Sequence, residues 1–167
     1  MIIRPVNESE YSSLYDFVKS AFTTAYMSNG EEQDYASSIR ASSTYIKELE
    51  YVVDESGKII GDIIVSKYSL PNNVNAIMIN LVCVDVDNRN IGLGRSLIEV
   101  VCIKAKELGY KAVLVVGDKK FFSKLSFKPT VEFGLKNSNG YNDDMILCKE
   151  LEENALKDAQ GLFNFII

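Results

Sequence analysis

Apolar residues recur along the chain with two spacings, one typical of helices and one typical of strands. The helical spacing is clearest over Glu8–Phe22 and over Gly92–Leu108. A weaker helix is expected over Glu31–Thr44 and a short one over Asp118–Leu125. The apolar tail 162–167 is either a last strand or a contact surface. The remaining apolar runs predict strands at residues 2–6, 50–54, 58–68, 76–86, 111–116, 131–135 and 145–149.

The order of these elements predicts the fold class. Residues 55–57, Glu-Ser-Gly, form a turn between two strand runs and so predict a hairpin. The run 76–86 is apolar at nearly every position, which is typical of a central strand that is covered on both faces. The helix over 92–108 leads to the run 111–116, and such a crossover makes the two strands parallel. We therefore predict one domain over residues 1–167, α+β or α/β in class, around a mixed sheet with flanking helices.

Composition excludes several kinds of catalysis and argues against some binding partners. The 167 residues carry 18 Lys and Arg against 23 Asp and Glu, and this net charge of −5 argues against a nucleic-acid partner. The absence of His excludes Ser-His-Asp and Cys-His catalysis and every His-ligated metal. Cys83, Cys102 and Cys148 are far apart and form no CxxC motif, so we expect free thiols and no metal. The first residues do not resemble a signal peptide, and no window is apolar enough to span a membrane. We therefore expect a cytoplasmic protein without membrane contact.

The junction between the predicted central strand and its helix carries the candidate chemistry. Gly92 and Gly94 lie one residue apart where the helix begins, so the backbone there can approach a ligand closely. The first amides of a helix have no partner within it and carry partial positive charge. Arg89 and Arg95 add positive charge, which would suit a phosphate site. Two glycines at such a junction are weak evidence by themselves, and a tight turn with close helix packing is the structural alternative. A dinucleotide fingerprint does not fit, because Leu97 stands where it needs a third Gly or Ala.

Two stretches resemble the GNAT superfamily of N-acetyltransferases. Arg89-x-x-Gly92-x-Gly94 is similar to its acyl-CoA signature, Gln/Arg-x-x-Gly-x-Gly/Ala, and stands between a long strand and a long helix as in that family. Residues 117–129 resemble the Gly-Asp-Pro-x-Tyr-Tyr-x-x-Phe-Gly-Phe-x-Pro stretch of the YhbS-like subfamily of predicted acetyltransferases. The resemblance runs to the end of the chain and is weakest over residues 23–48. It implies the GNAT fold, a mixed, mostly antiparallel sheet with a central parallel βαβ unit.

The resemblance also implies a reaction, the transfer of an acetyl group from acetyl-CoA directly to a primary amine of a small molecule or peptide. The backbone of Val82, Cys83 and Val84 would bind the pantetheine arm and the thioester carbonyl, with Val84 contributing to catalysis as an oxyanion donor. Glu31 and Tyr26 are candidates for binding the acceptor amine, whose identity the shared motif does not reveal. Homodimers are common among relatives, which leaves a homodimer open here. The remaining cofactor-binding candidates, which would hold the pyrophosphate, are Arg89, Asn90, Ile91, Gly92, Leu93, Gly94, Arg95 and Ser96.

The chain departs from the family at the usual proton donor. The family commonly places a Tyr at the position of Phe122, and its Tyr-Tyr pair is Phe121-Phe122 here. Phe cannot donate a proton, so Ser123, Tyr110 and Tyr141 are alternative donors to the leaving thiolate. The departure keeps a second interpretation open, a non-catalytic acyl-CoA-binding module that acts as a sensor or an interaction protein.

Several candidate residues have a structural alternative to a functional role. Cys83 has no neighbour in sequence that would activate its thiol, which favours strand packing over nucleophilic catalysis. For Asp118 a helix cap is favoured over a ligand contact, and for Glu31 a solvated helix start is favoured over binding of a cationic amine. Asn90 and Ser126 stand where the family usually has Gly, which we interpret as tolerable variation. Three basic residues are candidates for a phosphate contact or for ordinary surface charge: Lys119, Lys120 and Lys124.

Overall fold

The computed structural model of the chain describes residues 1–26 and 28–164. The α-helices with more than one turn are α1 (Tyr11–Phe22), α2 (Glu32–Arg40) and α3 (Leu93–Glu107), and α4 (Lys119–Phe122) is a single turn. The strands are β1 (Ile2–Pro5), β2 (Tyr51–Glu55), β3 (Lys58–Leu70), β4 (Val74–Val84), β5 (Ala112–Val116), β6 (Lys128–Pro129), β7 (Leu135–Asn137), β8 (Ile146–Glu150) and β9 (Gly161–Phe163).

Seven of these strands form one mixed, mostly antiparallel sheet in the order β1-β2-β3-β4-β5-β8-β6. Its parallel pair joins Ala76–Ile79 of β4 to Ala112–Val115 of β5, as the predicted crossover through a helix requires. The pairs β1-β2, β2-β3, β5-β8 and β6-β8 are antiparallel. A separate two-stranded sheet pairs β7 with β9 in parallel. The predicted α+β class and the central parallel βαβ unit are therefore confirmed.

The chain divides into two compact units, residues 1–66 with 80–101, and residues 67–79 with the chain from 102 onward. In the first unit, Val18 of α1, Ala36 of α2 and Leu81 of β4 belong to one buried apolar cluster. In the second unit, Leu114 and Ile146 belong to a cluster that also covers the β7-β9 sheet. One domain over the whole chain stays a prediction.

One predicted strand is wrong. Residues 131–135 alternate apolar and polar positions, yet Thr130–Phe133 form a 3-10 helix that ends at Gly134 with φ +74°. A five-residue alternation is too short to exclude a helical turn, and a left-handed glycine is a typical helix end. The small strand β7 begins only after it, at Leu135.

The chain differs from the pattern at two further places. Helix α2 ends at Arg40, four residues before the predicted end at Thr44, since Ser and Thr side chains compete for helical hydrogen bonds. The Ser42 and Thr44 hydroxyls lie 2.9 Å apart and hydrogen-bond to each other. The apolar tail does contribute strand β9, while its residues 165–167 lie outside the described part of the chain.

The helices of the described chain, residues 1–26 and 28–164, include none that is long and apolar enough to cross a membrane.

Candidate active site

Strand β4 continues beyond its parallel pairing with β5, which ends at Ile79. In this extension Leu81 and Cys83 are buried, whereas Val82 and Val84 are only half-buried. Leu81 and Cys83 pack in the apolar cluster beneath α1 and α2. Burial raises the pKa of the Cys83 thiol well above its ordinary value, and a nearby carboxylate adds to the effect. A buried thiol of raised pKa is a poor nucleophile, which supports the packing role of Cys83.

The loop after β4 has an unusual backbone. Asn90 and Gly92 both adopt the left-handed conformation, with φ +65° and φ +92°. Glycine adopts this conformation freely, and asparagine does so more readily than most other residues. A Cβ atom built on Gly92 would meet no heavy atom within 4 Å, so the space in front of the loop is open.

The start of α3 completes a backbone cradle. The first intrahelical hydrogen bond runs from Ser96 N–H to the Gly92 carbonyl, over 3.0 Å. The amides of Leu93, Gly94 and Arg95 precede this bond, and an α-helix supplies no partner for such amides. A Cβ on Gly94 would have Val84 Cγ2 as its nearest neighbour, at 3.8 Å. The cradle therefore has room for an anion, and a side chain larger than that of Ala at Gly94 would occupy that room.

Both arginines of the cradle use donors on partners within the protein. Arg89 Nε donates to the Val84 carbonyl over 3.2 Å, Nη1 donates to Thr24 Oγ1 over 2.9 Å, and Nη2 donates to the Ala21 carbonyl. Arg95 Nε pairs with Glu99 Oε1 at 2.8 Å on the surface of α3. Sequence reasoning missed Thr24 and Ala21, because residues 65 or more positions away from Arg89 give no local signal.

The two acceptor-binding candidates precede α2 in the chain. Tyr26 is fully exposed, at 101% of its reference area. Glu31 immediately precedes α2, and its carboxylate accepts from Asn29 Nδ2 over 3.2 Å. Its exposed position at a helix start fits the structural alternative and also leaves the carboxylate accessible to a cation.

Asn80 is a polar residue of β4 that sequence reasoning missed. Its Nδ2 donates to the Tyr35 hydroxyl of α2 over 3.1 Å. Its Oδ1 is buried and has no hydrogen-bond partner among the described residues. An unpaired buried acceptor is costly, and it would gain a hydrogen bond from a ligand N–H. An isolated Asn in an apolar strand offers no motif that could have identified it.

The motif at residues 117–129 builds an aromatic cluster in the second unit. Phe122 is buried and makes edge-to-face contacts with Phe121 and Phe127, with ring centroids 5.0 and 5.3 Å apart. A Cβ on Gly117 would approach the Phe122 ring to 2.5 Å, so this glycine is needed for the ring to fit. Ser123 is exposed, and its Oγ donates to the Lys120 carbonyl over 3.3 Å.

Two polar residues of the same motif have structural partners. Asp118 Oδ1 accepts from the Lys120 amide over 2.9 Å, which confirms its role as the N-cap of α4. Lys119 Nζ pairs with Asp144 Oδ1 at 2.7 Å on the surface. This hydrogen bond raises the pKa of Lys119 and keeps it charged.

A buried ion cluster links α2 to two strands. Arg40, in the last turn of α2, bonds Glu50 Oε1 at 2.6 Å and Asp62 Oδ2 at 3.1 Å, and both carboxylates are fully buried. The Tyr45 hydroxyl donates to Glu50 Oε2, and Tyr11 lies 2.9 Å from that hydroxyl. One guanidinium thus faces two buried carboxyl groups. The sequence did not reveal the cluster, because its members come from separate elements.

No cluster of three or more Cys, Asp or Glu side chains suited to a metal ion occurs in residues 1–26 and 28–164.

Seen as a whole, the strand order and the parallel β4-β5 pair with its crossover helix define the α+β fold of the GNAT N-acetyltransferases. No family model and no curated protein matches the sequence. The fold is similar to that of YhbS, a GNAT family N-acetyltransferase from Escherichia coli solved in complex with CoA. This likeness has a TM-score of 0.86 at 20% identity and covers 99% of this chain and 89% of that chain.

Two further solved structures share the fold. A GNAT family acetyltransferase from Brucella melitensis, in complex with acetyl-CoA, has a TM-score of 0.72 at 18% identity and covers 89% of this chain and 86% of that one. Ard1 from Thermoplasma volcanium has a TM-score of 0.62 at 21% identity and covers 91% of this chain and 98% of that one. At such identities the likeness concerns the fold.

Proposed function

We propose that this chain is an acetyl-CoA-dependent N-acetyltransferase acting on a primary amine of a small molecule or peptide. The observation that carries the proposal is the open backbone cradle at the start of α3, after the loop that follows β4, in a chain with the GNAT fold. Two structures of this fold, from Escherichia coli and Brucella melitensis, were solved with CoA and acetyl-CoA.

The cradle fits the phosphates of CoA. The amides at the start of α3 donate to the pyrophosphate, and the open space before Gly92 and Gly94 admits it. Backbone groups of Val82–Val84 hold the pantetheine arm. Because these donors belong to the backbone, the side chains of Asn90, Ile91 and Ser96 tolerate variation.

Acetyl-CoA supplies the acetyl group as a thioester, whose C–S bond breaks as the amine nitrogen bonds to the carbonyl carbon and sulfur leaves with the electron pair. The chain's part is to orient this carbonyl and to remove a proton from the amine. A backbone amide at Val84 donates to the carbonyl oxygen where negative charge develops. The proton passes through water to a carboxylate such as Glu31, since the sequence has no His.

The buried Phe122 favours a second candidate function, an acyl-CoA-binding module without turnover. Its ring fills the position at which the family commonly has a general acid, and Ser123 beside it is bonded to a main-chain carbonyl. A thiol has a pKa of ~8.5, so thiolate leaves tolerably near neutral pH without an acid. General acid catalysis increases the reaction rate by about 10²–10⁴-fold. Its loss therefore predicts a slower enzyme rather than an inactive one.

Calorimetric titration with acetyl-CoA and with CoA tests the proposal. Micromolar binding is expected, followed by release of free thiol when a diamine, a polyamine, an aminoglycoside, lysine or a short peptide is added. Binding without thiol release from any of these amines would favour the binding module. Absence of binding would mean that the cradle is only a tight turn. A variant with Gly94→Val is the matched control, because it blocks the cradle without touching the candidate acceptor residues.

The same proposal places the protein in the cytoplasm, without nucleic-acid or membrane partners. A homodimer remains a prediction, and sedimentation of the purified protein measures it directly.

A further inference from the structure

The guanidinium of Arg89 hydrogen-bonds to the ends of two secondary-structure elements. Its Nε and Nη2 atoms, which form one edge of the planar group, donate to the carbonyls of Val84 and Ala21. Val84 is the last residue of β4, and Ala21 lies in the last turn of α1. Carbonyls in the last turn of a helix have no partner within it, so a cation there satisfies an otherwise unpaired acceptor.

The remaining terminal nitrogen extends the same link. Nη1 donates to the hydroxyl of Thr24, two residues after the end of α1. An arginine that binds phosphate typically presents two parallel N–H groups to it. Here three of the five N–H groups already have acceptors within the protein, and these include both N–H groups that would make up the Nε–Nη2 edge.

We propose that Arg89 is a positioning residue rather than a phosphate ligand, and that it ties the cofactor loop to the turn after α1 through Thr24. This inference rests on the proposed function, since it assigns roles within the same site. Two consequences follow. The loop is held in shape before CoA arrives, so that binding does not bear the cost of ordering it. The turn that leads to Tyr26, on the acceptor side, is linked to the occupancy of the cradle.

A double-mutant cycle tests the link. The wild type, Arg89→Gln, Thr24→Val and the double variant are titrated calorimetrically with CoA at low and at high NaCl. Thr23→Val is the matched control, because its hydroxyl is also exposed but donates to the Ser20 carbonyl over 2.7 Å and does not contact Arg89. Thr24→Ser is the conservative variant that keeps a hydroxyl acceptor.

The expected losses follow from the net value of single hydrogen bonds. We expect CoA binding about 10-fold weaker for Arg89→Gln and about 3-fold weaker for Thr24→Val. The double variant should bind no more weakly than Arg89→Gln alone, since the two side chains act as one unit. Thr23→Val should bind within about 2-fold of the wild type, and Thr24→Ser should recover most of the loss. High salt should leave these ratios unchanged, because no exposed charge pair with CoA is removed.

A phosphate ligand gives the opposite pattern. Thr24→Val would then bind CoA like the wild type, Arg89→Lys would retain affinity, and the loss in Arg89→Gln would shrink at high salt. Any of these results overturns the inference while CoA binding by the wild type keeps the proposed function. Absence of CoA binding by the wild type overturns the proposed function, and the inference falls with it. If Arg89→Gln fails to fold, the CoA affinities of Thr24→Val, Thr23→Val and Thr24→Ser still show whether Thr24 belongs to the link.

The chain has no Trp, so Tyr26→Trp provides a single fluorescent reporter on the turn. Saturating CoA should shift its emission in the otherwise wild-type protein and leave it unchanged in the Arg89→Gln background. An equal shift in both backgrounds would contradict the link.

Discussion

At the scale of single residues, two departures from the family's glycines have one physical explanation. Asn90 and Ser126 stand where the family usually has Gly, and both adopt a positive φ, +65° and +68°. The sequence could predict that these positions are turns. It could not predict that a non-glycine residue would hold the left-handed conformation, since that depends on the neighbouring elements.

Ser126→Gly should stabilise the protein. A left-handed conformation costs a non-glycine residue about 1–2 kcal/mol, and glycine avoids that cost while losing about 0.5–1 kcal/mol in backbone entropy. The net gain of about 0.5–1 kcal/mol corresponds to an increase in Tm of roughly 1–4 °C. Ser123→Gly is the control, because Ser123 has φ −61° and should lose stability instead. Equal changes in Tm for the two variants would contradict the argument.

Phe122→Tyr tests the missing proton donor. If the site has the family geometry, the added hydroxyl should keep or increase thiol release from acetyl-CoA and amine, by up to about 10²-fold. Because Phe122 is only 6% exposed, a small loss of Tm is expected from burying the hydroxyl. Phe121→Tyr is the matched control, since Phe121 is 41% exposed. A sharp drop in turnover for Phe122→Tyr alone would mean that its ring shapes the pocket and that the acid lies elsewhere.

At the scale of elements, α2 is held to β3 by a carboxyl that resists ionisation. Asp62 is fully buried, and this burial, together with the Glu50 carboxylate, raises its pKa well above 3.8. Arg40, 3.1 Å away, acts in the opposite direction without outweighing the burial. Above pH 3.8 and up to the raised pKa, the folded chain holds this proton more tightly than the unfolded chain. The contribution of the Asp62 carboxyl to the free energy of unfolding is therefore present in acid and is lost as the pH rises.

Asp62→Asn should remove that pH dependence. The amide still accepts from Arg40 but cannot ionise, so the variant should gain stability relative to the wild type as the pH rises above 3.8 and through the raised pKa of Asp62. Urea unfolding at several pH values measures the difference.

Asp54→Asn is the control of opposite sign. The Gly57 amide and Arg4 lower the pKa of Asp54, so its contribution is present above pH 3.8 and is lost as the pH falls. The gap between this variant and the wild type should therefore narrow in acid. Parallel pH profiles for the two Asn variants would contradict both assignments.

The cradle is also a property of elements, since it needs the end of β4 and the start of α3 together. Gly94→Val should weaken CoA binding at least about 10-fold, because a side chain would occupy the space of the phosphate. Its Tm should change little, since a Cβ there meets only Val84 Cγ2 at 3.8 Å. Gly94→Ala should retain binding, as the family signature allows Ala. Gly92→Val adds backbone strain at φ +92° and is therefore the less specific test.

The apolar pattern of the sequence predicted the long elements of the fold but not the contacts between distant residues. The long apolar period of α3 and the continuous apolar run of β4 predicted both elements and their parallel crossover, because burial on a large scale fixes them. The alternation at Val131–Leu135 failed, because so few residues do not separate a strand from a helical turn. The contacts of Arg89 with Thr24 and of Arg40 with Asp62 were beyond prediction, since only the tertiary fold brings these residues together.

At the scale of the whole molecule, occupancy of the cradle should appear as stability. A ligand that binds only the folded chain stabilises it by about 2.7 kcal/mol at 100 times its Kd, which corresponds to roughly 5–10 °C in Tm for a chain of this size. We expect this shift with acetyl-CoA for the wild type and none for Gly94→Val at the same concentration. ATP carries phosphates without a pantetheine arm and should shift Tm less. An equal shift with ATP would assign the cradle to phosphate alone and leave the Val82–Val84 backbone without its proposed role. No shift with either ligand would contradict the proposed function. The fold would stand, because the strand order defines it independently of any ligand.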